Sequence, residues 1–120
     1  MHMLQTSAVL FAIAALGGLL MAGIRFSRHV NPPAWIAMVH GLLAAAGLTL
    51  LAYAICAEPS ARGSSMPTLA LVLFLLAALG GVVMSLKYKW NRVLIPSWLV
   101  IGHATAAVLG FVVLVVAAFR

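Results

Sequence analysis

Two histidines, His40 and His103, occupy matching positions in two copies of one sequence pattern. The segment 9–54 returns without a gap at 72–117, and the shift of 63 residues carries one histidine onto the other. Imidazole nitrogens are common metal ligands, and ionisable side chains inside apolar helices are rare and usually functional. The pair therefore points to a metal held between two symmetric imidazoles.

The repeat is recognised from residue types that rarely replace one another in apolar helices. A Gly-Gly pair, a proline and a tryptophan return in the same register as the histidines. The matched pairs are Gly17-Gly18 with Gly80-Gly81, Pro33 with Pro96, and Trp35 with Trp98. One repeat period is long enough for two helices, so the sequence predicts a duplicated helical hairpin.

The composition places these hairpins in lipid. Of the 120 residues, 66% are hydrophobic and Glu58 is the only acidic one, and the mean hydropathy is +1.22. Such a chain cannot cover itself with a polar surface. Four apolar stretches are long enough to cross a hydrocarbon core of about 30 Å, and they are 4–24, 33–56, 67–86 and 96–119.

We therefore predict an all-α integral membrane protein, built as a bundle of four transmembrane helices running up and down. It forms a single membrane domain over residues 1–120. Repeat 1 covers 4–56, an outer loop covers 57–66, and repeat 2 covers 67–119. Because each copy contains an even number of spans, the two halves are expected to be related by a pseudo-twofold axis along the membrane normal.

The formal net charge of +6 indicates topology rather than binding to nucleic acid. Five of the seven basic residues fall in two connections, and they are Arg25, Arg28, Lys87, Lys89 and Arg92. The positive-inside rule then places loops 25–32 and 87–95 in the cytoplasm. Both termini and loop 57–66 face outward. We expect a bacterial-type inner (plasma) membrane.

The two histidines are expected to face each other at one depth. In an up-down bundle the second and fourth helices lie on a diagonal. Each histidine lies seven residues after the proline that opens its helix, or about 10 Å from the cytoplasmic end. With neighbouring helix axes about 8–10 Å apart, two inward imidazoles leave about 4 Å between ring nitrogens, which fits one metal ion.

Haem iron suits this donor set better than zinc. Zinc takes four ligands, and no Asp, Glu or Cys lies near enough to complete them. Haem iron brings four ring nitrogens and needs only two axial ligands. At the same depth the first and third helices carry Gly17, Gly18, Gly80 and Gly81, where a flat ring can approach the backbone. Histidines and glycines that serve only helix packing remain the alternative.

This pattern resembles the four-helix membrane cytochromes b, including the cytochrome b561-like group. The resemblance rests on His40, His103 and the two glycine pairs within four spans. It implies haem b held between histidines on facing helices. Many members hold two haems with four membrane histidines, whereas this chain has two such histidines. The resemblance therefore implies one haem b per chain, near the cytoplasmic side.

The basic residues at the cytoplasmic helix ends are available to neutralise the haem propionates. We expect Arg25 and Arg92 to be among the residues that bind the cofactor. Positive-inside charge explains the same residues without a cofactor, so this interpretation also remains open.

With both axial positions taken, the iron offers no place for oxygen or a substrate, and the sequence predicts one-electron transfer by a membrane b-type cytochrome. The expected partners are the lipid bilayer and a quinone or quinol, superoxide, or a redox partner protein. Oligomerisation stays open, and enzyme activity, if present, would be that of a membrane oxidoreductase.

Two alternatives remain at this point. One is a cofactor-free membrane anchor or assembly subunit. The other is a small four-helix transporter that uses the histidine pair, although no span carries an acidic residue.

Overall fold

The computed structural model describes residues 2–120, and this part of the chain is helical without any strand. Four long helices are joined by short connections, and a single helical turn lies in the middle one. The helices are α1 (Met3–Arg28), α2 (Ala34–Ala57), α3 (Pro59–Arg62), α4 (Ser65–Val83) and α5 (Ser97–Phe119). A π-helical segment, Met84–Lys89, continues α4. The all-helical prediction is confirmed.

All four long helices are long and apolar enough to cross a membrane, when the π-helical segment is counted as part of α4. The bundle measures 45 × 21 × 20 Å. Its length matches the thickness of a bilayer with its headgroup regions, about 40–45 Å. These dimensions support the sequence interpretation of an integral membrane protein.

The helices are arranged in the order in which they occur along the chain. The helix α1 packs on α2, and α4 packs on α5. The bundle closes through contacts of α1 with α5 and of α2 with α4. The helices α2 and α5 therefore face each other across one diagonal, and α1 and α4 across the other. This arrangement decides which side chains meet on the bundle axis.

The bundle has two chemically different ends. The basic end carries the connections 29–33 and 90–96, together with the side chains of Arg25, Arg28, Lys87, Lys89 and Arg92. The terminal end carries both chain termini and the connection 58–64. There the carboxylate of Glu58 accepts a hydrogen bond from the backbone nitrogen of Met3 at 2.9 Å. The only acidic side chain of the protein thus caps the start of α1.

The tightly packed core lies in the terminal half of the bundle. The rings of Phe11 and Phe74 stack across the α1–α4 diagonal, with centroids 3.7 Å apart and planes inclined by 1°. Leu51 and Leu114 are fully buried beside them. Gly47 admits the ring of Phe11, because a Cβ there would lie 2.9 Å from Phe11 Cε2.

Two helices, α1 and α4 with its π-helical segment, extend further at the basic end than the sequence predicted. The helix α1 continues through Arg28, so the predicted loop 25–32 is too long by one turn. Helical structure also includes Lys87 and Lys89, which corrects the predicted loop 87–95. Cations suit the C-terminal turn of a helix, where they face the free carbonyl groups, so they did not mark helix ends.

The first helix of each hairpin is followed by a residue with a left-handed backbone. His29 and Arg92, which match in the repeat, take left-handed backbone conformations with φ of 55° and 56°. A residue in this conformation ends a helix by turning the chain away from its axis. The connections begin at His29 and, after the π-helical segment, at Trp90, rather than at the first basic side chain.

The outer connection is also shorter than predicted. Within the predicted loop 57–66, residues Pro59–Arg62 form the one-turn helix α3. The Ser64 hydroxyl then accepts a hydrogen bond from Met66 N at 3.3 Å, so α4 begins at Ser65 rather than at 67. Serine in this position supplies a partner for a helix N–H group that has none within the helix.

Candidate functional site

The two repeat-related histidines meet on the bundle axis. His40 comes from α2 and His103 from α5, the two helices that face each other across a diagonal. Their ring centroids lie 6.1 Å apart, and the ring planes are inclined by 64°. The structure therefore brings together the two residues that the sequence singled out as ligands.

Each imidazole is held by one backbone carbonyl group. The Nδ1 atom of His40 lies 2.7 Å from Ala14 O, and the Nδ1 atom of His103 lies 2.6 Å from Ala77 O. Because a carbonyl oxygen only accepts, each Nδ1 must donate, and the proton of a neutral ring is then on Nδ1.

The other ring nitrogen, Nε2, is therefore left with a lone pair. Neither Nε2 has a hydrogen-bond partner among residues 2–120. Metal-bound histidines are commonly held in this way, with one ring nitrogen donating to a carbonyl group and the other binding the metal. The local hydrogen bonding thus leaves the Nε2 lone pair of each ring free.

The glycine pairs lie directly against the histidine rings. A Cβ atom on Gly18 would lie 3.2 Å from His40 Cε1, and one on Gly81 would lie 3.5 Å from His103 Cε1. Gly17 and Gly80 face the Cβ atoms of the same histidines at 3.7 and 3.6 Å. Each glycine pair therefore lets an imidazole come close to the backbone of the neighbouring helix, near its carbonyl partner.

The packing around the histidines is looser than in the terminal half. Both histidines and the four glycines are only half-buried, although the two rings lie close together between α2 and α5. On the terminal side, Ala14 and Ala77 are buried, and the stacked Phe11 and Phe74 follow one turn further on. The histidine level is thus the point where the packed core ends.

The two arginines expected near a cofactor occupy different environments. Arg25 is buried, with 7% of its surface exposed, and its Nε donates to Ile95 O at 2.8 Å. It lies seven residues after Gly18 on α1, which is two turns along the same face. Arg92 is exposed in the turn after the π-helical segment. Of these two arginines, Arg25 is the one placed inside the bundle.

The described residues, 2–120, contain no metal site of ordinary composition. No group of three or more His, Cys, Asp or Glu side chains that could hold a metal occurs in this range. Cys56 is exposed, and it belongs to the terminal end of α2. Any metal bound at the histidine pair must therefore bring its other ligands with it.

Three hydroxyl groups of the spans, those of Ser7, Thr49 and Thr105, are already used within their own or the adjacent helix. Ser7 Oγ donates to Gly47 O at 2.8 Å, while Thr49 and Thr105 each donate to the carbonyl group four residues earlier. Hydroxyl groups engaged in this way have little capacity left to bind the carbonyl oxygens of a quinone. These contacts give no support to a quinone site built from them.

Sequence reasoning missed two features of the site. The first is the Phe11–Phe74 stack, although the repeat places these residues in register and could have shown it. The second is Asn31, which donates to Val93 O at 2.8 Å and accepts from Ile95 N at 3.0 Å, joining the two connections of the basic end. The residue that matches it in the repeat is Leu94, so no pattern marked it.

No family model, no curated protein and no solved structure matches the chain. The resemblance to the cytochrome b561-like group therefore stays a prediction. The case for a function rests on the geometry of the histidine pair and on the composition of the helices.

Proposed function

We propose that the protein is an integral membrane b-type cytochrome that holds one haem b between His40 and His103 and serves one-electron transfer. The observation that carries this proposal is the pair of facing imidazoles, each with Nδ1 bonded to a carbonyl group and Nε2 free. Each free Nε2 carries a lone pair, which is the form of imidazole that binds a metal ion.

The spacing of the rings suits one metal ion between them. Two imidazoles bound to a single metal through bonds of about 2 Å have ring centroids about 6 Å apart. The observed separation is 6.1 Å. Since only two protein ligands are present, the donor set favours a metal that arrives with an equatorial ring of its own, as haem iron does.

The chain's own residues would hold the cofactor and control its surroundings. His40 and His103 would hold the iron through Nε2, and the carbonyl groups of Ala14 and Ala77 would fix the orientation of the two rings. Arg25 offers a buried positive charge to a propionate. When bound, haem would supply a reversible one-electron couple, and with both histidines as ligands the iron would have no position left for a substrate.

The orientation in the membrane is part of the same proposal. The five cations of the basic end place that end in the cytoplasm by the positive-inside rule. The histidine pair then lies in the cytoplasmic half of an inner (plasma) membrane. The terminal end, with Glu58, Arg62 and Arg120, would face outward.

One observation favours a second candidate, a cofactor-free membrane anchor. The inclination of 64° brings the two imidazoles into an edge-to-face contact, which is itself a favourable packing geometry for aromatic rings. In that case the histidines join α2 to α5, and the protein has no chromophore.

Carbon monoxide distinguishes a six-coordinate electron carrier from other haem proteins. We expect the protein purified from haem-replete cells to show sharp low-spin bands when reduced, and these bands to stay unchanged under carbon monoxide, because both axial positions are filled. The measurement is the visible spectrum before and after gas addition. A large band shift would contradict two protein ligands, and a colourless protein would favour the anchor.

The glycine that receives the His40 ring offers a test with a close control. Valine at position 18 would push its branched side chain against His40 Cε1, which lies only 3.2 Å from a Cβ there. Overpacking of this kind costs about 1–3 kcal/mol, so Gly18→Val should weaken haem binding about tenfold or more. Haemin titration of the haem-free protein measures this change.

The matched control is Gly23→Val on the same helix, because nothing lies within 4 Å of a Cβ at Gly23. This variant should bind haem as the original protein does. Equal affinities for the two valine variants would show that the glycine pair does not position the ligand.

A further inference from the structure

The basic end presents three exposed cations on one surface. Arg28, Lys87 and Arg92 are exposed, and we call these three residues the basic platform. The only acidic side chain of the protein, Glu58, lies at the opposite end and is engaged with Met3 N. The positive potential of the platform is therefore not compensated by any nearby carboxylate.

The platform is also held rigid. Asn31 joins the two connections through hydrogen bonds to Val93 O and Ile95 N, and Arg25 adds a third bond to Ile95 O. We call these three hydrogen bonds of Asn31 and Arg25 the clamp. The residues that match Asn31 and Arg25 in the repeat are Leu94 and Tyr88, so the clamp does not follow from the sequence repeat. Positive-inside charge requires cations but no such clamp, whereas a preorganised surface lowers the entropy cost of docking a partner.

The histidine pair is close to the basic end and far from the other one. His40 lies six residues after Ala34, the first residue of α2, and 17 residues before Ala57, the last one. These spacings correspond to about 9 Å and about 26 Å along the helix. The longer path is filled by the stacked phenylalanines and buried leucines. An electron would therefore both arrive and leave more easily at the basic end.

We propose that the basic platform docks an acidic, water-soluble electron-carrier protein. This inference rests on the proposed function, since it takes the histidine pair as the redox centre. The carrier, with an iron–sulfur or flavin group, would lose one electron as the iron between the histidines gains one. Charge complementarity would steer the encounter, and the clamp would keep Arg28 and Arg92 in a fixed relation.

The test measures binding directly, with the full chain in nanodiscs of phosphatidylcholine, which carry no net charge. The probe is a purified acidic plant-type [2Fe–2S] ferredoxin, and the basic protein cytochrome c is the counter-probe. We expect ferredoxin to bind at about 0.05 M salt and to dissociate at about 0.5 M, because salt screens exposed charges. Cytochrome c should not bind in either condition.

Two sets of variants locate the binding surface. Replacing the platform with R28Q, K87Q and R92Q together should weaken ferredoxin binding about tenfold or more. The matched control, R62Q with R120Q, removes the two cations of the terminal end and should leave binding unchanged. Asn31→Leu keeps every charge but opens the clamp, and we expect it to weaken binding about threefold to tenfold.

Each result has a defined meaning. Ferredoxin that fails to bind, or that binds the platform variant as well as the original protein, overturns the proposal. Full binding by Asn31→Leu also overturns it, because diffuse charge would then suffice without a built surface. Binding is read without reference to haem, and the visible spectrum of each preparation reports haem separately. Loss of the proposed function is thereby distinguished from loss of docking.

Discussion

Replacing either His40 or His103 with alanine is expected to lower haem affinity by more than about 100-fold, so that the purified variants are nearly colourless. Removing a residue that only orients a metal ligand already costs about 10–100-fold, and removing the ligand itself should cost more. The alanine also leaves the facing imidazole with a free nitrogen and no metal. The measurement is haem content per chain, with haemin titration of the haem-free protein as a second readout.

The control for this experiment is His29→Ala. His29 is exposed in the left-handed turn that ends α1, away from the histidine pair, and its loss should leave haem content unchanged. Two results would count against the ligand assignment. One is full haem content in His40→Ala or in His103→Ala, and the other is an equal loss of haem in His29→Ala.

A single methyl group at Gly47 is expected to destabilise the bundle by about 1–3 kcal/mol. The new Cβ would lie 2.9 Å from Phe11 Cε2 and 3.0 Å from Cδ2. The Phe11 ring is restrained from moving away, because it is buried and its face is stacked on Phe74 at 3.7 Å. The change should appear as a lower midpoint of unfolding in a detergent or thermal titration.

The same helix offers the matched control for Gly47→Ala. A Cβ at Gly41 meets nothing within 4 Å, so Gly41→Ala should be neutral or stabilise the helix by up to about 1 kcal/mol. Gly110→Ala should fall between the two, since its nearest contact would be 3.2 Å. Adding Phe11→Leu to Gly47→Ala should recover part of the loss, because the smaller side chain makes room. A stability of Gly47→Ala equal to that of Gly41→Ala would contradict the packing argument.

The helical architecture and the meeting of the histidines could be predicted from the sequence. Long apolar stretches leave few alternatives to helices, because every backbone N–H and C=O group must be satisfied within the segment. The ungapped repeat placed His40 and His103 at one depth, and short connections put their helices on a diagonal. Geometry of this kind depends on helix periodicity and chain length, which a sequence contains directly.

The details that depend on individual contacts could not be predicted. No pattern in an apolar helix shows that Ala14 and Ala77 would offer their carbonyl oxygens to the histidines, because every residue has the same backbone groups. Asn31 is a single polar residue in a short connection, and its two hydrogen bonds depend on how the two hairpins pack. The helix ends at the basic end were misplaced because Arg25 and Arg28 continue a helix as readily as they end one.

Haem content of the unmodified protein tests the central claim most directly. The chain should be produced in haem-replete cells, purified in mild detergent, and examined by its reduced-minus-oxidised visible spectrum together with the ratio of haem to protein. The proposal predicts sharp low-spin α and β bands at about one haem b per chain. A colourless protein that also fails to take up added haemin would contradict it, and the facing histidines would then serve the packing of α2 against α5.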